Sequence, residues 1–127
     1  MDEDTGQVVT VAPVPVWDSA SRDAALAAGT TVMDAFARPV KLDERQWWEA
    51  LEPLLTPRAQ PDYATVDPRN VPVTKLTGKA ELVEEGSAYV ARVKVSTNAG
   101  AYVVVLSRRD AAAPWLADDL VPPGRQR

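Results

Sequence analysis

The 127-residue sequence contains no cysteine and no histidine. Without cysteine there is no disulfide, no thiol nucleophile and no thiolate metal site. The redox compartment stays open, because cysteine-free chains occur on both sides of a membrane. Without histidine the commonest metal ligand and the usual general base near neutral pH are both gone. Positive charge is short as well: 14 Lys and Arg against 18 Asp and Glu leave a formal net charge of −4, which argues against nucleic-acid binding, where phosphate contacts need a concentrated basic surface. Arg108-Arg109 and Arg125-Gln126-Arg127 are too small a cluster to reverse that. No apolar run nears the roughly 20 residues of a membrane span, and the N-terminus lacks the basic-then-apolar order of a signal peptide. Gly-rich phosphate loops, nucleophile elbows, metal-ligand spacings and internal repeats are missing too.

What is present is a chain that is 46% hydrophobic, enough for one domain with a core that needs no staples. Three stretches are expected: a flexible or extended leader at 1–16, a domain at 17–122 and a tail at 123–127. The leader is acidic, then rich in valine and proline, and reads either as a stalk or as an edge strand lying on the domain. Its start, Met1-Asp2-Glu3-Asp4, fits equally a natural N-terminus and a point just after a removed membrane anchor.

The residues 88–106 organise the rest. Tyr89, Ala91, Val93 and Val95 alternate with Val90, Arg92, Lys94 and Ser96, the period of a strand with one buried face. After a turn over Ser96 to Gly100, the run Ala101 to Leu106 is apolar on both faces and β-branched, which suits a central strand. Before this hairpin, Val71 to Glu84 reads as β, with Gly78 at a bend and a turn at Glu85-Gly86-Ser87. After it, Pro114 to Val121 reads as a last strand, stopped by Pro122-Pro123.

Helices come first. Asp18 or Ser19 can cap one running to about Arg38, with Leu26, Gly29, Val32, Met33 and Phe36 on its apolar stripe and Pro39 ending it. Gly29 on that stripe predicts a close approach to the sheet. Asp43 caps a second helix carrying Trp47, Trp48, Leu51, Leu54 and Leu55, with Gln46 in the capping-box place; Pro53 should kink or restart it. Thr56-Pro57 opens a short third helix with Tyr63 and Val66, and Asp67 to Asn70 is a turn. Helices followed by an antiparallel meander is the order of an α+β fold.

Candidate sites are few. Trp47 and Trp115, with Phe36 and Leu51, are expected in the core. Adjacent helical residues diverge by about 100°, so Trp48 should lie at a rim, as partner contact or edge packing, and Trp17 joins it as an interface candidate. Asp118 and Asp119 sit side by side on a strand and should face opposite ways, which bars a carboxylate dyad. Glu84-Glu85 reads as a solvated hairpin end. Asp34 and Tyr63 are the one acid/base pair the sequence offers for a pocket. No catalytic residue, cofactor or metal is expected.

The run TTVMDAFARP, then RQWWEALEPLLTPRA, YATVDPRNVPVTKLTG, GSAYVARVKVSTNAG and PWLADDL, from about Ala20 to Val121, resembles small actinobacterial proteins of conjugative and integrative elements. These carry a nuclear transport factor two-like (cystatin-like) cone, helices held in a curved four-stranded antiparallel sheet, and are similar to TcpC and VirB-type components of type IV secretion channels. The resemblance implies a non-enzymatic assembly or scaffold domain on the extracytoplasmic side of the cell membrane. Its partners would be other secretion or conjugation proteins and further copies of itself, with no direct nucleic-acid binding. Membrane attachment would come only through an N-terminal helix that is not among these residues, with the leader as its linker. The same fold also hosts isomerase-like and dehydratase-like enzymes, so a small-molecule binding protein or enzyme is the alternative. Those need a hydrated cavity with a base, whereas here Trp47, Trp115, Leu51, Phe36 and the hairpin valines are expected to fill the cone.

Overall fold

Proline and capping aspartates divide the helical half of the chain where the sequence places them. The computed structural model describes residues 14–126, apart from the side chains of 84–86. Three helices come first, α1 (Ser19–Phe36), α2 (Glu44–Leu51) and α3 (Gln60–Ala64). Four strands follow, β1 (Glu81–Ser87), β2 (Val90–Thr97), β3 (Gly100–Ser107) and β4 (Leu116–Val121). They form one antiparallel sheet in the order β1-β2-β3-β4, so β3 is an interior strand as its two-faced apolar sequence predicts. The helices pack on the sheet, α1 chiefly against β2. The architecture is α+β. Residues 1–13 of the leader, and Arg127, lie outside the described residues.

Local chemistry accounts for each helix. The Asp18 carboxylate accepts from the Ser21 amide at 2.8 Å, and that of Asp43 from the Gln46 amide at 3.0 Å, so both expected N-caps form. Pro53 cannot donate to the helical ladder, and α2 gives way at Glu52 to a 3-10 turn, Glu52–Leu54. Thr56 caps the next turn, its hydroxyl accepting from the Ala59 amide, but α3 begins later, at Gln60, and Val66 lies beyond it.

The core lies between α1 and the sheet. Ala25, Gly29, Val32, Met33 and Phe36 of α1 are buried, as are Trp47 and Leu51 of α2. They meet Ala91, Val93 and Val95 of β2, Tyr102, Val104 and Leu106 of β3, and Ala117 and Leu120 of β4. A Cβ placed on Gly29 would stand 2.7 Å from Val93 Cγ1, so the close approach expected there is real.

The strand boundaries need three corrections. First, residues 71–80 form no strand. Pro72 has no N–H to donate. The Arg38 amide donates to the Val73 carbonyl at 2.8 Å, and the Asn98 side chain accepts from the Thr74 and Lys75 amides; the β reading survives only as an isolated antiparallel bridge between Leu76 and Thr97. Second, the β1–β2 turn is Ala88-Tyr89 rather than Glu85-Gly86-Ser87. Two register shifts, between Leu82 and Glu84 and between Glu84 and Ser87, lengthen β1 relative to β2 and push the turn onward. Tyr89 therefore sits in the turn, exposed, and does not share the buried face of Ala91, Val93 and Val95. Third, β4 starts at Leu116, after Pro114 and Trp115.

Both ends of the expected domain extend further than the sequence suggests. In the leader, Pro15 is buried and the Val16 carbonyl accepts from Arg108 Nη2 at 3.2 Å. At the other end, the 3-10 turn Pro123–Arg125 folds back, and the Gln126 side chain donates to the carbonyls of Ala101 and Val121.

Candidate functional site

The single phenylalanine is the hub of the aromatic interior. The Phe36 ring lies 6.3 Å from that of Trp47, 6.4 Å from Tyr63 in an edge-on arrangement, and 6.1 Å from Tyr102. These are ordinary edge and tilted ring contacts. The Trp47 indole N–H, inside the core, donates to the Phe36 carbonyl at 2.9 Å. That carbonyl belongs to the last turn of α1, where no intrahelical donor remains for it. The expected core set of Phe36, Trp47, Leu51 and Trp115 is buried throughout. Trp48 is half-buried at the rim, its ring 6.4 Å from that of Trp47.

Trp115 and Trp17 form a separate stack, centroids 5.6 Å apart and nearly parallel, so Trp17, half-buried, packs against the edge of the core. Over the Trp115 ring, at 4.4 Å, lies the Arg108 guanidinium. Arg108 is buried, and its Nε donates to the Ala88 carbonyl at 2.9 Å. With its bond to Val16 it ties the entering chain, the β1–β2 turn and the start of β4 together. Among the described residues neither indole N–H of this stack finds a hydrogen-bond partner.

Asp34 and Tyr63 are not brought together. Asp34, exposed on α1, lines a surface groove of about 520 Å³ with Ala37, Lys41, Gln46, Trp47 and Leu54, and Tyr63 takes no part in it. The Tyr63 hydroxyl instead accepts from the Leu120 amide at 2.8 Å and donates to Asp119 Oδ1 at 3.0 Å. Burial pushes this phenol up to about 12, with the Asp119 charge acting in the same direction and the Leu120 hydrogen bond against it. Its proton is held at neutral pH, which suits a structural clamp and not a general base.

The two adjacent aspartates depart from strand alternation. Val105 pairs with Asp119 and Leu106 with Ala117, so Asp118 is the extra residue of a bulge. Both carboxylates consequently find partners in the same segment, 56–63. Asp118 accepts from the Thr56 hydroxyl at 2.8 Å and lies 3.1 Å from Arg58 Nη2, while Asp119 takes Tyr63 and two bonds from Arg125. Burial raises the Asp119 carboxyl, but the bonds from Arg125 and Tyr63 outweigh it and hold the group below the ordinary carboxylate range. The sequence does carry one sign of this: the buried residues Ala117 and Leu120 are three apart, where an unbroken strand would space them by two.

Among the described residues no group of His, Cys, Asp or Glu is placed to hold a metal ion. Set against protein-family models, curated proteins and solved structures, the chain matches none.

Proposed function

We propose that this chain is a non-enzymatic assembly domain, a nuclear transport factor two-like cone that works through protein contacts in a conjugative DNA-transfer apparatus of the type IV secretion kind. The observation that carries this reading is the filled interior. Met33, Leu51, Val93, Val104 and Leu106 are fully buried where helices and sheet meet, and Trp47 is fastened there by its bond to Phe36. An enzyme of this fold would need that space for substrate. Placement on the extracytoplasmic side of the cell membrane, beside other secretion proteins, follows from the resemblance of the motifs between Ala20 and Val121. The test is deletion of the gene from a donor strain that carries the mobile element. Transfer should fall sharply and return with the full chain supplied in trans; undiminished transfer would sink the reading.

One observation favours a second reading. The groove between the end of α1 and α2 presents the exposed Asp34 beside Lys41 and the Trp47 ring, a place where a small molecule could bind. Saturable binding of a small ligand abolished by Asp34→Asn, in a protein whose deletion leaves transfer intact, would put the binding-protein or enzyme reading first.

A further inference from the structure

Arg108 is 8% exposed and makes no ion pair among the described residues. A buried guanidinium almost always has a counter-charge. Of its five N–H bonds, those to the carbonyls of Ala88 and Val16 use two, and the other three have no acceptor among the described residues. The Trp115 ring against it offers a face and not a charge, and the Trp115 indole N–H is itself a donor without an acceptor there. Both residues line a groove of about 550 Å³ between the first half of α1 and the chain that leads into β4. Its walls are short and aliphatic, with Ala24, Ala27 and Ala28 from α1 and Ala113 and Pro114 from the chain before β4. Asp18 is the only carboxylate among the described residues that line it. That group is exposed and is held below the ordinary carboxylate range chiefly by the Ser21 amide, with the Arg108 charge contributing least. It does not neutralise Arg108.

We propose that this groove is a binding site for a small aliphatic monocarboxylate, whose oxygens take the free N–H bonds of Arg108 while its hydrocarbon end lies along the alanines. A planar guanidinium fork is matched to a carboxylate in this way. The volume falls in the range of small-ligand pockets, and walls without large side chains leave room for the hydrocarbon. Asp18 limits the ligand to one negative charge, because a second carboxylate would face it across the groove. The site is separate from the groove between α1 and α2. The inference goes beyond the assembly reading and does not depend on it.

The experiment titrates the ¹⁵N-labelled full chain with sodium hexanoate at constant ionic strength and follows the amide and indole signals. Saturable shifts centred on Ala24, Arg108, Ala113 and the Trp115 indole N–H are expected, with a Kd of about 1–10 mM for so small a ligand. Hexanol, which lacks the charge, should bind about tenfold more weakly or worse, and adipate, which adds a second carboxylate, should also bind more weakly. Ala24→Leu fills the groove from an exposed helical position, so it should weaken hexanoate about tenfold or more with little change in melting temperature. Arg108→Lys keeps the charge without the fork and should weaken it as well; Ala24→Leu keeps the test decisive where the lysine variant folds poorly. Four results would each overturn the proposal: no shift at about 50 mM hexanoate, hexanol or adipate binding as tightly as hexanoate, unchanged hexanoate affinity in Ala24→Leu, or tighter binding of N-acetyl-trialanine, which would assign the groove to the chain terminus of a protein.

Discussion

Gly29 of α1 lies so close to Val93 of β2 that an added Cβ would meet Val93 Cγ1 at 2.7 Å and Val93 Cβ at 2.9 Å. The Cγ1 atom can rotate away, but the Cβ is fixed to the backbone of an interior strand. Alanine at 29 gains roughly 1 kcal/mol of helix propensity, and overpacking of about 1–3 kcal/mol works against it. Gly29→Ala should therefore fail to stabilise the protein, with a net loss of up to about 2 kcal/mol in urea unfolding. Paired with Val93→Gly, which removes that Cβ, it should cost less than the sum of the two single changes, and simple additivity would show that the contact is not the cause.

Trp47→Ala removes a buried ring and leaves the Phe36 carbonyl without its donor. A loss of about 3–5 kcal/mol is expected, measured by chemical denaturation. Trp47→Phe restores much of the volume but not the N–H, so it should retain a smaller deficit of about 1–3 kcal/mol. Equal stability for Trp47→Phe and the parent would show that the hydrogen bond contributes nothing.

Much of this interior is legible in the sequence, because the 3.6-residue stripe of α1 and the alternation of β2 and β3 each respond to one buried face. The caps at Asp18 and Asp43 and the break at Pro53 are equally local. What the sequence hides is register. The two slips in β1 come from how that strand pairs with β2, and the bulge at Asp118 comes from how β4 meets β3. Only the bulge leaves a trace in its own strand, the three-residue spacing of Ala117 and Leu120. Because pairing is hidden in this way, the sequence offers Asp34 beside Tyr63, whereas the partners of Tyr63, Asp119 and Leu120, lie 56 and 57 positions away.

The Tyr63 phenol gives a prediction for alkaline pH. Its folded value of about 12 lies above the ordinary 10.0, so the folded state favours the protonated form. Its contribution to stability is complete below pH 10 and disappears as pH rises towards 12. Burial raises Tyr102 as well, so absorbance titration should show late tyrosines, of which Tyr63→Phe removes the latest. The stability difference between the two proteins should be constant up to pH 10 and shrink above it; a gap that widens there would refute the assignment.

Asp119 behaves in the opposite sense. Its carboxyl is held below the ordinary 3.8, so it contributes stability above that value and loses it as the pH falls through the lower folded one. Asp119→Asn should be least competitive with the parent at neutral pH and approach it in acid. Urea unfolding at several pH values checks this, and a deficit that grows on acidification would contradict it.

Arg108 joins three remote pieces of chain through the carbonyls of Val16 and Ala88 and the face of Trp115. Arg108→Ala should cost about 2–4 kcal/mol. Arg108→Lys keeps the charge but not the planar fork, and should recover less than half of that. Removing residues 1–16 deletes the Val16 acceptor and the buried Pro15, so a measurable drop in melting temperature is expected; an unchanged melting temperature would show that the anchor is dispensable.

The broken end of α2 has a consequence for growth beyond one molecule. Leu55 forms a parallel bridge to Ala117, and the Thr56 amide donates to the Ala117 carbonyl at 2.9 Å. The segment that Pro53 throws out of the helix thus occupies the outer edge of β4. A ribbon of molecules joined strand to strand needs two free edges on every unit, and this chain has closed one of them itself. Edge pairing can therefore yield a couple but not a fibre, a safeguard that a single helix-breaking proline helps to set in place.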